Sequence, residues 1–311
     1  MEFRHTSVLY EEVIENLKIK ADGIYLDGTL GGGGHAAGIC QRLSSMGTLI
    51  GIDRDRDALE AAEQNLQQYN CKKHFVQENY ENIHYVLQQL NIEKIDGAIL
   101  DLGVSSFQLD NPERGFSYMH DGSLDMRMNA DDSLTAWQIV NRWEQEELAE
   151  IIKNYGEERW ASRIAQFIVE HRKTQPIQTT YQLVDIIKAA IPASARREGP
   201  HPAKRTFQAI RIAVNDELGQ LERAVDRFID ALGSGGRLCI ITFHSLEDRI
   251  VKEAYRKRLN PCTCPKEFPV CVCGKEPDVE KVTGKPILPG KQEIESNPRA
   301  RSAKLRVIQK R

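Results

Sequence analysis

The chain has 311 residues, of which 41% are hydrophobic and 28% charged, and its net charge is −3. No apolar run reaches the roughly 18 residues that span a bilayer, and the charged opening Met1-Glu-Phe-Arg-His is not a signal peptide. A cytoplasmic protein of one large domain or two modest ones is therefore expected, and not a membrane or secreted one.

The first 110 residues alternate helix-like and strand-like segments. Residues 8–17 place Leu9, Val13 and Leu17 at helical spacing. Residues 23–27 form a short strand ending in Asp27, followed by a glycine-rich turn and a helix over 36–43. A strand over 48–53 ends in Asp53, and a helix over 57–66 follows. His74-Phe-Val marks a third strand, residues 83–90 a helix, and residues 95–101 a fourth strand ending in Asp101. Strands and helices in this alternation predict βαβ units and a parallel sheet. Ligands of such sheets bind beyond the carboxyl ends of the strands, where Asp27, Asp53 and Asp101 fall.

The pattern then changes. Residues 111 to about 220 predict helices over 134–142, 146–154, 159–172 and 181–191, with Pro192 ending the last. One further helix is expected over 206–228, with Phe207, Ile210, Val214, Leu218 and Leu221 on one face. Residues 235–243 restore a buried strand. The expected organisation is a discontinuous α/β domain, 1–110 and 220–311, with an inserted helical domain over 111–219. The Pro- and Lys-rich tail from about residue 260 is expected to be extended and loop-rich.

Chemistry concentrates in the segment Asp27-Gly-Thr-Leu-Gly-Gly-Gly-Gly-His35. Glycines after a strand allow a tight turn and close approach to a ligand. Residues 32–37 also fit a loose dinucleotide pattern, G-x-G-x-x-A, so an NAD-dependent oxidoreductase is the competing enzyme. A carboxylate just before the glycines would repel a pyrophosphate but attract the ammonium of S-adenosylmethionine. Asp53 is placed to accept hydrogen bonds from ribose hydroxyls. Asp101-Leu-Gly-Val-Ser-Ser, with Gln108 beyond it, would face both cofactor and acceptor. The reading is a Rossmann-like methyltransferase domain using S-adenosylmethionine.

These motifs, with Ile52-Asp-Arg-Asp55, Arg114-Gly-Phe-Ser, Asp125-Met-Arg-Met, Arg205-Thr-Phe-Gln-Ala-Ile-Arg-Ile-Ala-Val-Asn-Asp-Glu, Phe243-His-Ser-Leu-Glu-Asp-Arg-Ile-Val-Lys and Asn297-Pro-Arg-Ala-Arg-Ser, resemble the ribosomal RNA small subunit methyltransferase H family, also called MraW. The match runs in order from His5 to about Arg306. The resemblance implies N4-methylation of a decoding-centre cytidine in 16S rRNA, with the small ribosomal subunit as partner and neither membrane nor DNA involved. It implies cofactor contacts at Gly33, Gly34, His35, Asp53, Tyr80, Asp101 and Gln108, beside the Asp27 already read from its charge. Asp101 is the first candidate acceptor of the cytosine amine, and Ser105, His244 and Asn215 are further pocket candidates. The Asn/Asp-Pro-Pro-aromatic stretch of many amino-methyltransferases is replaced here by Asp101-Leu-Gly-Val. A ribosome-assembly factor with a vestigial cofactor site, or an enzyme acting on DNA or protein, are the other readings; the intact loop and acids oppose the first and the resemblance opposes the second.

Two basic clusters are expected to contact RNA phosphates. One covers residues 196–205; the other runs from Lys281 to the end, with nine Lys or Arg against two Glu. Cys262, Cys264, Cys271 and Cys273 form two Cys-x-Cys pairs within twelve residues, a set suited to a structural all-cysteine zinc site.

Overall fold

The computed structural model describes residues 7–197, 199–265 and 267–311. Met1 to Thr6, Glu198 and Lys266 lie outside the described residues, and with them the charged N-terminal stretch, His5 and one position of the first basic cluster. The side chain of Ser106 also lies outside. Among the described residues no helix is long and apolar enough to cross a membrane. The chain divides into two compact units, Met1–Gly103 with Leu218–Arg311, and Val104–Glu217.

The first unit is built on seven strands: β1 (Ile24–Asp27), β2 (Thr48–Asp53), β3 (Lys72–Gln77), β4 (Ile95–Asp101), β5 (Leu232–Thr242), β6 (Val279–Lys281) and β7 (Lys304–Lys310). Their order is β3-β2-β1-β4-β5-β7-β6. The first five pair in parallel, β7 runs antiparallel to β5, and β6 antiparallel to β7. β2 and β4 are near-continuous apolar runs because both faces are covered, whereas the edge strand β3 is polar and partly exposed. Side chains alternate between the faces. Ile50, Ala98, Leu100 and Ile240 join one core with Val86, Phe228 and Val251. Leu49, Ile99, Cys239 and Ile241 join the other with Val13, Ile39 and Leu59. The result is a Rossmann-like sandwich with helices on both faces.

The second unit has its own core. The helices Ala136–Arg142, Gln145–Asn154, Ala161–Arg172, Thr180–Ala190 and Lys204–Asn215 contribute Ile139, Leu148, Ile164, Leu183 and Ile210 to it. Thr135 with Gln138 and Thr179 with Gln182 form capping boxes at two of the helix starts, satisfying backbone donors that the first turn leaves open.

Two expectations are corrected. The helix expected over 206–228 is two helices, Lys204–Asn215 and Glu217–Ala231. Asp216 between them has φ 48, a left-handed conformation that Asp tolerates better than most residues. Arg211 clasps Glu217 across the break, Nε to Oε1 and Nη2 to Oε2, both 2.8 Å.

The tail is also more ordered than expected. It carries β6, the helix Lys291–Ser296 and β7, and β7 lies inside the sheet. Leu305, Val307 and Ile308 are buried, while Lys304 and Arg306 alternate with them. Both cations pair with Asp248, at 3.2 and 2.7 Å. Burial works against ionisation of Asp248, but Arg306 and Lys304 outweigh it and hold its carboxyl below the ordinary value. Lys304, its side chain 40% exposed, is thus engaged by Asp248.

Leu305→Ala is expected to lower unfolding stability by about 2–5 kcal/mol, the usual cost of emptying a buried leucine site. Urea denaturation measures it; a change within about 0.5 kcal/mol, as for a surface position, would remove β7 from the core.

Candidate active site at the strand carboxyl ends

β1 lies between β2 and β4, so strand order reverses on either side of it. Asp27, Asp53 and Asp101 are the last residues of these three strands and share one end of the sheet. Open α/β sheets bind ligands at this end, at such a switch point.

The glycine segment is tied to all three strands. Gly28 N donates to Ile99 O and Leu30 N to Ile52 O, both at 3.0 Å. Gly31 N donates to Asp53 Oδ2 at 2.8 Å. Thr29 N donates to Asp27 Oδ1 at 3.1 Å, and Thr29 Oγ1 accepts from Asp101 N at 2.6 Å. A Cβ on Gly28 would lie 2.6 Å from Leu100 Cδ2 and 2.9 Å from Phe228 Cζ, so only glycine fits without displacing the core. Gly33, with φ 82, precedes the helix Gly34–Cys40 in a backbone conformation that glycine adopts at little cost.

His35 lies in the first turn of that helix and is buried. Its Nε2 lies 3.0 Å from Val8 O; a carbonyl only accepts, so Nε2 is the donor in this contact. Its Nδ1 faces Asp101 Oδ2 at 3.7 Å. Tyr80 begins the short turn Tyr80–Asn82 after β3, and its Cβ would stand 3.3 Å from a Cβ on Gly28. The structure thus brings Asp27, Gly33, Gly34, His35, Asp53, Tyr80 and Asp101 together at this end of the first unit.

The site is strongly acidic. Burial, then the Asp53 charge, push Asp27 up to about 7, against the opposing Thr29 N–H. Burial also raises Asp53, although Asp55 N and Gly31 N donate to it. Asp101 is raised well above its ordinary value by burial, then by Asp27 and Glu247. Its Oδ1 is buried without a hydrogen-bond partner. Bringing several carboxylates together where water is partly excluded favours a cationic ligand that restores their ionisation, and disfavours an anionic one.

Glu247 is the residue that sequence reasoning missed. It is buried, and its Oε2 accepts from Phe243 N at 2.7 Å and His244 N at 3.3 Å. His244 is the N-cap of the helix Ser245–Leu259 and accepts from Glu247 N at 3.4 Å through Nδ1. The available signal was the spacing of a capping box, with His in place of Ser or Thr.

The remaining candidates belong to the second unit. Ser105 and Gln108 cap the helix Ser106–Asp110 reciprocally, each bond 3.2 Å. Asn215 is buried; its Oδ1 accepts from Met128 N at 2.8 Å, and its Nδ2 donates to Met126 O at 2.8 Å and Arg211 O at 2.9 Å. It fixes the Asp125-Met-Arg-Met segment, in which Met126 has φ 60. Arg114 supports the same segment through Arg127 O and Met128 O. The four clustered cysteines are brought together as well, with all four Sγ atoms within 4.8 Å of one another.

The chain matches the MraW methylase family over residues 2–311. It is 56% identical over 312 residues to a ribosomal RNA small subunit methyltransferase H of Ruminiclostridium cellulolyticum, with 100% of each chain covered. The protein of the same name from Acetivibrio thermocellus is 59% identical over 312 residues, and that of Clostridioides difficile 54% over 310, again with 100% of each chain covered.

The raised Asp27 makes a prediction for the ligand-free protein. Between about pH 4 and 7 the folded state keeps a proton that the unfolded state has lost, so stability falls as pH rises through that window. Asp27→Asn should flatten this slope and raise stability above pH 7 by about 2–4 kcal/mol. Denaturation midpoints from pH 4 to 8 read it, and an unchanged slope in the variant would place the proton elsewhere.

Proposed function

The chain belongs to the MraW methylase family, and from that premise we propose that it methylates N4 of a decoding-centre cytidine in 16S rRNA, with the small ribosomal subunit as acceptor. The protein is a methyltransferase of the S-adenosylmethionine-dependent kind. On this reading it works in the cytoplasm, where its acceptor is found. The observation that carries the proposal is the buried, unpartnered Oδ1 of Asp101 at the ligand-binding end of β4.

The residues of the first unit suit S-adenosylmethionine. Asp27, buried and close enough to Asp53 to feel its charge, would attract the methionine ammonium. Asp53 has lone pairs left for ribose hydroxyls after accepting from Gly31 N and Asp55 N. Gly33, Gly34 and His35 would form the loop against the methionine end, and Tyr80 would lie against the adenine. When bound, this substrate supplies an electrophilic methyl group on a sulfonium. The acceptor is the harder partner, because the N4 lone pair of cytosine is delocalised into its ring.

Asp101 answers that difficulty. Its carboxylate would accept a hydrogen bond from N4–H, turning the lone pair toward the methyl group; such positioning supplies much of a transfer rate. N4 gains a methyl group and loses a proton. The Asp101 carboxylate, accepting a hydrogen bond from N4–H, would be placed to take that proton. The positive charges of the bound methyl donor would first return Asp101 to its ionised form. The cytidine must leave its RNA context to reach such a site. A zinc ion on Cys262, Cys264, Cys271 and Cys273 would be structural, since no step of the transfer needs it.

Arg299 and Arg301 are exposed in the tail, and Arg196, Arg197 and Lys204 in the helical unit. These residues suit phosphate contacts, which neutralise charge and release counterions.

Labelled S-adenosylmethionine is to be incubated with small subunits from cells lacking the activity, and the labelled nucleoside identified by mass. Label in N4-methylcytidine supports the proposal; label in another nucleoside overturns the acceptor. At saturating cofactor, Asp101→Ala should lower transfer by about 10²-fold or more, and near-normal turnover would exclude the role given to Asp101. Arg299→Glu with Arg301→Glu should weaken subunit binding and flatten its salt dependence; unchanged binding would take the tail out of the interface.

A further inference from the structure

Between the helix Ser245–Leu259 and β6 the chain crosses a long loop with no core of its own. From Tyr255 to Val279 no described hydrophobic residue between them is buried. Phe268, Val270 and Val272 are 50%, 70% and 72% exposed. Apolar burial does not hold this segment, yet it brings four cysteines to one point.

The sulfurs converge on a centre. Cys271 Sγ lies 3.5 Å from Cys262 Sγ, 3.5 Å from Cys273 Sγ and 3.9 Å from Cys264 Sγ. Cys273 Sγ lies 3.9 Å from Cys262 Sγ. Two disulfides would sort the four into separate pairs; here Cys271 is equally close to two partners and near the third. A tetrahedral zinc–thiolate site with bonds of about 2.3 Å sets its sulfurs about 3.8 Å apart along each edge. The observed contacts bracket that spacing.

The backbone supports the same arrangement. Val272 N donates to Cys264 Sγ at 3.3 Å, linking the two Cys-x-Cys pairs. Gly274 follows the second pair with φ 65, so the chain turns sharply away. N–H donors aimed at ligand sulfurs orient them and favour the thiolate.

We propose that Cys262, Cys264, Cys271 and Cys273 bind one zinc ion as four thiolates. Each thiol that ligates gives its proton to solvent, so binding weakens at low pH. Four sulfur ligands fill the coordination shell and leave no open position, which makes the site structural. The ion replaces the missing core of the loop and fixes the path from the helix Ser245–Leu259 to β6. The inference rests on the loop geometry and is independent of the proposed acceptor.

The full-length chain, purified without chelator or immobilised metal, is to be analysed for metal content. One zinc per chain is expected, released when a mercurial has titrated four thiols. The cobalt-substituted protein should show tetrahedral d–d bands with thiolate charge transfer. Cys264→Ser with Cys273→Ser should lose the metal; should that variant not fold, the cobalt spectrum of the unmodified chain decides alone. Zinc-free protein with four alkylatable thiols in this loop would overturn the proposal, as would two disulfides or iron in place of zinc.

Discussion

Three carboxylates that end three neighbouring strands, Asp27 buried and Asp53 and Asp101 half-buried, form the constraint on which the first unit depends. Like charges taken out of water disfavour ionisation. The chain answers locally at two of them: Thr29 N donates to Asp27, and Gly31 N and Asp55 N donate to Asp53. Asp101 keeps a buried oxygen with no such donor, and Glu247 adds to its burden. A site in this condition is stabilised by cations, and a methyl donor carrying an ammonium and a sulfonium is one. On the proposed reading, the electrostatic cost of the ligand-free fold and the affinity for the methyl donor would have the same origin.

Holding these acids in place requires a stiff frame. The alternating faces of β2, β4 and β5 feed two separate cores, so each strand is fixed from both sides. Gly28 is packed so closely against Leu100 and Phe228 that the loop cannot shift without disturbing the core. β7 completes the frame. Its two inner cations meet Asp248 on the helix Ser245–Leu259, the same helix whose cap contains Glu247. The basic tail and the acidic site are therefore joined through one helix start.

The second unit applies polar side chains to a different task. Asn215, Arg114 and Arg127 hold the segment after Asp125: Arg127 pairs with Asp125 at 2.7 Å, and Asn215 clamps the backbone on either side of Arg127. Ser105 and Gln108 secure a short helix start. Motif residues that read as pocket chemistry are engaged here in fixing backbone conformations that sequence alone does not specify.

Much of the fold was legible along the chain. Continuous apolar runs marked β2 and β4 to the residue, and helical spacing placed most helices within a few residues, because both signals are local. The acids at the ends of β1, β2 and β4 were legible for the same reason, and so was the pattern of glycines between Asp27 and His35. The break at Asp216 was not, because a continuous apolar face runs across it and only a left-handed residue interrupts the helix. β7 was hidden because Lys304 and Arg306 pair with Asp248, 56 and 58 residues earlier in sequence. Glu247 was hidden because its proximity to Asp101 arises only when β5 lies beside β4. Local sequence determined the elements and the acids at their ends. Tertiary structure decided which charges are buried together and which are paired, because that depends on strand order and not on spacing along the chain.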